Sequence, residues 1–582
     1  MLKIYKASAG SGKTFQLVVE YLKLILKNPL NYRHILAVTF TNKATAEMKT
    51  RILEQLNMLA SGHESNYISI LEKETKFDET QIRSRAKQVL KNILHDYNRF
   101  SVSTIDTFTQ RVIKAFNREM GISPDYQLEL DNEVLLAEAT DRLLANIGND
   151  KNLLAWLQDF SREKIEDNQS QRIEENIKKL GHELFKEKFQ VFFPTENNSV
   201  YSRENLDEFI KELNSKKTVI ENTLKKLGGK AVALMAENGF ATEDFSYTTT
   251  GIAGYLTAIS NGVFKEPGKR VLDAETEPEK WYQKKHPQAA KIHRLVEDQL
   301  QPVLIEALEY YRKNEKSYFT TLAVLKQIRM LGILTDLKEQ VSELLHEKGV
   351  LQISDSNLLL SKIIGQSDSP FIYEKTGSNF SHFMLDEFQD TSGLQWNNFR
   401  PLLANSLSEG NENLIVGDVK QSVYRWRNSN WKILAEQVYS DFNAEQIDEN
   451  ILEKNWRSDL NILTFNNQFF SELQNTFGEQ QFRQFADEKE EIVARFRRIY
   501  DSLEQKPGQE NPVPTGLVDI RFLPEENFTE VSAEFLVKQV KKLQDNGIKA
   551  AEIAILIRKN KEGVPIIQRF MESAQLPENS KY

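Results

Sequence analysis

The sequence predicts an α/β fold, a parallel sheet flanked by helices and interrupted by a long helical stretch. Three observations carry this expectation. Two short apolar runs that read as buried strands, Leu2–Lys6 and Ile35–Phe40, are each followed by a helical pattern. Between about residues 120 and 345 long charged helical stretches take over. Strand signals then return at Phe383–Leu385 and Leu414–Gly417.

The elements follow in order. The helix after the first strand carries the apolar stripe Phe15, Leu17, Val18, Val19, Leu22, Ile25 and Leu26. Thr41-Asn42 is a natural N-cap for a second helix running through Met58. The helical stretch is broken near Tyr247–Gly251 and Lys265–Gly268. Gln505–Pro514 is a loop by its Pro and Gly content. After it come a strand-like run Leu517–Phe522, a helix near Val531–Gln544 and a second strand-like run Ile553–Ile557. The expected division is a first domain over 1–119 and 346–440, a helical insertion over 120–345, and a partial second α/β domain over 441–582. The charge run Asp487–Glu491 reads as a solvated helix face.

A chain of 582 residues is too long for one core, so several domains are expected. The absence of cysteine excludes disulfides and cysteine-ligated metals and fits a reducing cytoplasm. The N-terminus has no signal-peptide layout, and no apolar run is long enough to span a bilayer, so no membrane partner is expected. The net charge of −9 does not point to nucleic acid, but it is a weak test in a long chain, where binding needs only a local basic groove.

Two segments carry chemistry. Ala7-Ser8-Ala9-Gly10-Ser11-Gly12-Lys13-Thr14 ends as a phosphate-binding loop does, between a strand and a helix. Small residues let backbone N–H groups curl around a phosphate at a helix N-terminus. Lys13 would reach the β- and γ-phosphates of ATP and the Thr14 hydroxyl would ligate Mg²⁺. The bland alternative is a glycine-rich turn that binds nothing, and the strand–helix placement argues against it. His382–Asp390 places acids at the end of an apolar strand. Asp386 is placed to hold Mg²⁺, and Glu387 to orient and deprotonate the attacking water. Acids after a strand usually just begin a solvated loop. The upstream phosphate loop tips the reading toward phosphoryl transfer.

Six segments, in this order, resemble those of UvrD/Rep-type superfamily 1 DNA helicases, most closely the AddA/RecB branch. They are Ala7–Thr14, Thr39–Met48, Ser103–Phe108, Asp386–Thr391, Val416–Arg427 and Asn455–Ser458. The resemblance implies a RecA-like motor domain with a large helical insertion and an incomplete second RecA-like domain. It implies that Gln421 senses the γ-phosphate, Arg457 neutralises charge developing on it, and Trp456 stacks on the adenine. It also implies that Trp426, Arg427 and Phe108 contact single-stranded DNA, with Thr39, Thr41 and Asn42 close to the backbone path. Aromatic faces accept any base and arginines track phosphates, which suits sequence-tolerant binding. Outside this context Trp426 and Phe108 would read as packing and Arg427 as a surface charge. The context favours DNA contact for Trp426 and Arg427 and leaves Phe108 even.

The family's glutamine motif upstream of the phosphate loop is absent, and Asn428-Ser429 stands where Gly-Ala is usual. The family's later motifs and the C-terminal nuclease domain of the AddA/RecB branch do not occur before Tyr582. The chain therefore reads as a piece of a longer protein, expected to bind ATP but hydrolyse it weakly by itself. The implied whole is an ATP- and Mg²⁺-dependent translocase moving 3′ to 5′ on single-stranded DNA and processing duplex ends in repair or recombination. Its implied partner is the second polypeptide of a helicase–nuclease complex. The rivals are a DNA-binding subunit inactive without its partner, and an unrelated P-loop enzyme such as a kinase. The segment Gln421–Arg427 argues against the kinase, which needs no such element.

Overall fold

The computed structural model describes residues 1–118, 127–129, 132–166, 173–187, 189, 201–366, 380–480, 494, 499–500 and 503–576. The charge run 487–491 lies outside these residues. The chain divides into two compact units, Met1–Ser8 with Lys13–Leu452, and Ala9–Gly12 with Glu453–Tyr582.

The first unit is built on a six-stranded, all-parallel sheet. Its strands are β1 (Leu2–Ala7), β2 (Ile35–Thr39), β3 (Val102–Thr104), β4 (His382–Leu385), β5 (Asn413–Gly417) and β6 (Ile447–Leu452). They lie in the order β3-β2-β4-β5-β1-β6. β2, β4 and β5 are buried along their whole length, which is why they read as unbroken apolar runs. Side chains alternate between two cores. Leu2, Ile4, Leu36, Val38, Phe383, Leu385 and Ile415 face one; Tyr5, Ala7, Ile35, Ala37, Met384, Leu414 and Val416 face the other. Helices α1 (Lys13–Lys27) and α2 (Asn42–Ala60) cover the second face, and α3 (Ile105–Ala115) the first. Thr41 caps α2 as expected, its hydroxyl accepting the Ala44 N–H at 3.1 Å.

One difference moves the expected domain boundary. Ile447–Leu452, assigned by sequence to the second domain, is the sixth strand of the first sheet and pairs with β1 from Leu2↔Ile447 to Ala7↔Leu452. It is an edge strand with alternating exposed positions, so Ile-Asp-Glu-Asn-Ile-Leu carries too little apolar signal to be read as one.

The stretch between β3 and β4 is helical among its described residues, apart from a short parallel pair, Gln127–Glu129 with Val350–Gln352. Its long helices α4 (Arg203–Glu237) and α5 (Gln301–Lys348) run through two further cores, one around Trp156, Leu334 and Leu337 and one around Trp281, Phe245 and Leu304. The breaks expected at 247–251 and 265–268 are present. Among the described residues no helix is long and apolar enough to cross a membrane. Helix α6 (Gly393–Ser408) follows β4 and packs Trp396, Phe399, Leu402 and Leu403 into the first sheet core.

A buried ion network ties β1, α1 and the start of β5 together. Lys23 is only 4% exposed and bridges Glu20 at 3.0 Å and Glu412 at 2.7 Å, while Lys3 holds Glu20 at 2.7 Å. Burial would raise the Glu412 carboxyl, but hydrogen bonds from Lys23 and Lys27 win and hold it at about 2. A depressed carboxylate stabilises the fold above its ordinary value near 4.5, and that contribution is lost as pH falls toward 2. Lys23→Met should cost about 3 kcal/mol at pH 7, because it removes the buried cation that Glu20 and Glu412 share and leaves each with one partner, Lys3 and Lys27. The loss should shrink at pH 3, where Glu412 in the variant takes up a proton. Thermal denaturation of both proteins at the two pH values checks this.

In the second unit, helices α7 (Phe528–Asp545) and α8 (Asn560–Ala574) pack together. The two strand-like runs beside them are a correction to the sequence reading. Leu517–Phe522 and Ile553–Ile557 belong to no strand, and Leu517, Phe522 and Leu556 are 84%, 96% and 94% exposed. Their strand-like apolar content suits pairing, and no partner strand lies beside them among the described residues. Unpaired apolar backbone of this kind associates readily. The chain should therefore self-associate with rising concentration, and Phe522→Ser with Leu556→Ser should suppress this in light scattering.

Candidate functional site

All six strands point the same way, so segments far apart in sequence emerge at one edge of the sheet. Register makes this explicit, with Val38 beside Leu385, Leu385 beside Ile415, and Lys6 beside Gly417. Ala7 ends β1, residues 8–12 form the turn, and Lys13 and Thr14 open α1. Gly10 and Gly12 have φ of +75° and +86°, which glycine adopts without the penalty other residues meet.

Lys13, Glu387 and Gln421 are brought together from the ends of β1, β4 and β5. The Lys13 ammonium, largely buried, donates to Glu387 Oε2 at 3.0 Å and Oε1 at 3.2 Å, and to Gln421 Oε1 at 3.4 Å. Gln421 Nε2 donates to Asp418 Oδ2 at 2.7 Å. Gln389 links the remaining members, its Nε2 donating to Glu387 Oε2 at 2.7 Å and its Oε1 accepting the Asp418 N–H at 2.9 Å. A Cβ at Gly417 would lie 2.7 Å from Gln389 Oε1, so glycine there admits this link. Glu387 has φ +50°, a left-handed backbone that costs a non-glycine residue about 1–2 kcal/mol. The folded loop holds that strain, as is common where a side chain must be aimed.

Asp386 lies beside this cluster. Burial, then the neighbouring Glu387 charge, pushes its carboxyl up to about 6. A carboxylate that is costly to ionise by itself suits a site completed by a cation. Asp390 is also raised to about 6 by burial, although the N–H groups of Val423 and Tyr424 donate to it. Those bonds fasten the loop after β4 to the loop after β5.

The second loop carries an exposed aromatic series. Trp426 is 70% exposed, Tyr424 lies 6.0 Å from it, and Phe40 stacks on Tyr424 at 4.6 Å. The Arg427 guanidinium lies over Trp426 at 5.1 Å. Asp106, from the first turn of α3, is raised by burial and partly restored by Arg427. Asn428 sits in the left-handed region at φ +68° and turns the chain back.

Two residues expected at a DNA surface are not there. Phe108 is 3% exposed and packs on Phe399 at 5.3 Å, on the core stripe of α3. Thr39 is fully buried, its hydroxyl bonded to Thr41 O at 3.1 Å and to the Thr45 hydroxyl at 2.6 Å. Thr41 and Asn42 are both exposed, at the start of α2.

Within the second unit, the segment Ala9–Gly12 lies against the Asn455–Ser458 motif. Asn455 Nδ2 donates to Ala9 O at 3.2 Å and the Trp456 N–H to Gly10 O at 2.8 Å. A Cβ at Gly10 would lie 2.9 Å from Arg457 Cβ, so this approach requires glycine. Trp456 is 64% exposed, with Gly508 against one side of its ring.

Gln389, Phe40, Tyr424 and Asn455 were not singled out by sequence, although each lies inside a quoted motif. For Tyr424 the signal was there, an aromatic residue two positions before Trp426 in a loop of otherwise polar character.

The description "UvrD/REP helicase N-terminal domain" matches residues 3–443. Relatives named as subunits of an "ATP-dependent helicase/nuclease" align along nearly the whole chain. That of Staphylococcus carnosus is 24% identical over 93% of this chain and 43% of its own length. That of Clostridium novyi is 23% identical over 99% of this chain and 48% of its own. That of Lactococcus lactis subsp. cremoris is 23% identical over 95% and 46%. The chain spans a little under half the length of these relatives. With most of its length matched and Lys13, Glu387 and Gln421 gathered at one sheet edge, the chain belongs to the UvrD/REP helicase N-terminal domain family.

Proposed function

We propose that this chain is the ATP-binding and DNA-binding part of a helicase motor that moves along single-stranded DNA, 3′ to 5′. The observation that carries the reading is the Lys13–Glu387–Gln421 cluster, assembled from three strand ends. The six-stranded sheet is the RecA-like first motor domain, split by the helical insertion. The second unit is part of a second RecA-like domain.

On this reading the γ-phosphate oxygens replace Glu387 and Gln421 as acceptors around the Lys13 ammonium. Glu387, released from the lysine, takes the proton of the attacking water, while Gln389 fixes its orientation. Gln421 hydrogen-bonds the γ-phosphate. Backbone N–H groups of Ser8–Thr14, at the start of α1, cradle the phosphates. Thr14 and Asp386 fit Mg²⁺, which when bound neutralises phosphate charge. The family resemblance assigns Arg457 to the charge that builds in the transition state and Trp456, 64% exposed, to stacking on the adenine. Trp426, Tyr424 and Phe40 form a stacking surface for bases, with Arg427, Thr41 and Asn42 along the backbone path.

The relatives' name, a subunit of a helicase/nuclease, supports a setting in which this polypeptide works with a second one; we place that complex on DNA ends in the cytoplasm. A second reading, a DNA-binding subunit that turns over ATP only with further polypeptide, is favoured by the exposed runs at 517–522 and 553–557. Phosphate release with Mg²⁺, with and without oligo(dT), separates the two. Slow ATP-dependent turnover supports the motor, and DNA binding with no turnover supports the second reading. A chain that binds neither ATP nor oligo(dT) fits neither.

A further inference from the structure

Glu187 belongs to the helical insertion, yet its carboxylate is spent on the loop that follows β4. It comes just after the turn His182–Phe185, where Leu184, Phe185 and Phe189 pack into the insertion core with Leu136 and Leu337. From that anchor Glu187 Oε1 accepts the Leu394 N–H at the N-terminus of α6, and the Ser392 hydroxyl donates to the same carboxylate. Burial raises this carboxyl above its ordinary range, and the two hydrogen bonds oppose the rise.

The helix end is otherwise complete. Ser392 Oγ accepts the Gln395 N–H at 3.2 Å, and Gln395 Oε1 accepts the Ser392 N–H at 3.0 Å. Glu187 therefore adds a further, negatively charged acceptor where the helix has a free N–H and a positive partial charge. Gly393 makes room for it, since a Cβ there would lie 3.1 Å from Glu187 Oε1.

What the carboxylate holds is the junction of both functional loops. Ser392 pairs with Ser429 in an antiparallel bridge, and Asn430 N–H donates to Thr391 O at 3.0 Å. Ser422 Oγ donates to Gln389 O at 3.3 Å. Gln389 contacts Glu387, and the 422–430 loop carries Trp426 and Arg427. We infer that Glu187 is a positioning residue through which the helical insertion holds the Gln389–Ser392 and Ser422–Asn430 loops in register for DNA binding. The DNA part rests on the function proposed above.

Two measurements on the full chain test this. The first is amide hydrogen exchange in peptides covering 386–394 and 421–430. Glu187→Ala should speed exchange there at least about threefold while leaving α5 unchanged. Glu187→Gln, which still accepts the Leu394 N–H, should stay near wild type. Unchanged exchange in both loops would overturn the inference, and so would loosening spread equally over α5. The second is affinity for fluorescein-labelled oligo(dT) and for a fluorescent ATP analogue. Glu187→Ala should weaken oligo(dT) binding about three- to tenfold, change ATP-analogue affinity less than about twofold, and be rescued by Glu187→Gln. Loosened loops with undiminished oligo(dT) affinity would overturn the positioning role in DNA binding. Wild type that does not bind oligo(dT) would remove the proposed function, while the exchange result would still decide whether Glu187 holds the loops.

Discussion

Lys13→Ala is expected to weaken ATP binding by about a hundredfold or more. The ammonium donates to three oxygens of Glu387 and Gln421 within 3.4 Å, and phosphate oxygens would take over those bonds. Charge-assisted hydrogen bonds of this kind are worth about 1.5–3 kcal/mol each, so losing the donor removes roughly 3 kcal/mol or more. The substitution also leaves Glu387 facing the phosphates without a cation between them. Glu387→Gln should behave in the opposite way. It removes the base and one negative charge but leaves the cradle, so binding holds or tightens while turnover falls by roughly 10²–10⁴. Fluorescence titration with an ATP analogue and single-turnover phosphate release read the two effects separately. Equal analogue affinity in wild type and Lys13→Ala would remove the nucleotide assignment.

Trp426→Ala should weaken oligo(dT) binding by about 1–3 kcal/mol, the range for one lost base stack. The ring is 70% exposed and continues into Tyr424 and Phe40, so truncation takes away contact surface rather than core. The fold should therefore keep its melting temperature. Arg427→Ala should flatten the dependence of log affinity on log salt by about 0.7, the increment for one phosphate on a single strand. Phe108→Ala should do the reverse of Trp426→Ala. It should cost about 3–5 kcal/mol of stability through a core cavity, and affect DNA only as the fold fails. Anisotropy at several salt concentrations, beside thermal melts, distinguishes these outcomes. Unchanged affinity in both loop variants would contradict the aromatic loop as a DNA surface.

The legible parts of this fold were those whose signal is local. β2, β4 and β5 are buried on both faces, so their sequences are apolar apart from one end residue each, Thr39, His382 and Asn413. β3 has three residues and β6 lies on an edge, and neither leaves such a trace. Leu517–Phe522 and Ile553–Ile557 failed for the opposite reason, because a strand-like apolar run reports pairing capacity and says nothing of a partner. At the site, Lys13, Glu387 and Gln421 from three separate motifs lie together, since parallel strands bring their following loops to one edge. A motif does not give side-chain direction, and this misplaced Thr39 and Phe108. For Phe108 the spacing Ile105, Phe108, Thr109, Val112, Ile113, Phe116 already traced a buried helical stripe. Glu187 had no sequence signal, because its contact joins residues 207 apart.

The central claim is that one connected set of loops serves both ATP and DNA. Its most direct test is linkage, measured as the affinity of the full chain for oligo(dT) with and without a saturating, non-hydrolysable ATP analogue and Mg²⁺. On the proposed function phosphate would free Glu387 from Lys13, Gln389 and Asp390 would carry the change to the loop bearing Trp426, and binding at one place would then alter binding at the other. The account requires a shift of at least about threefold in oligo(dT) affinity, matched by the same factor in analogue affinity when DNA is added, and abolished in Lys13→Ala. Tight binding of both ligands with affinities that ignore each other would contradict it.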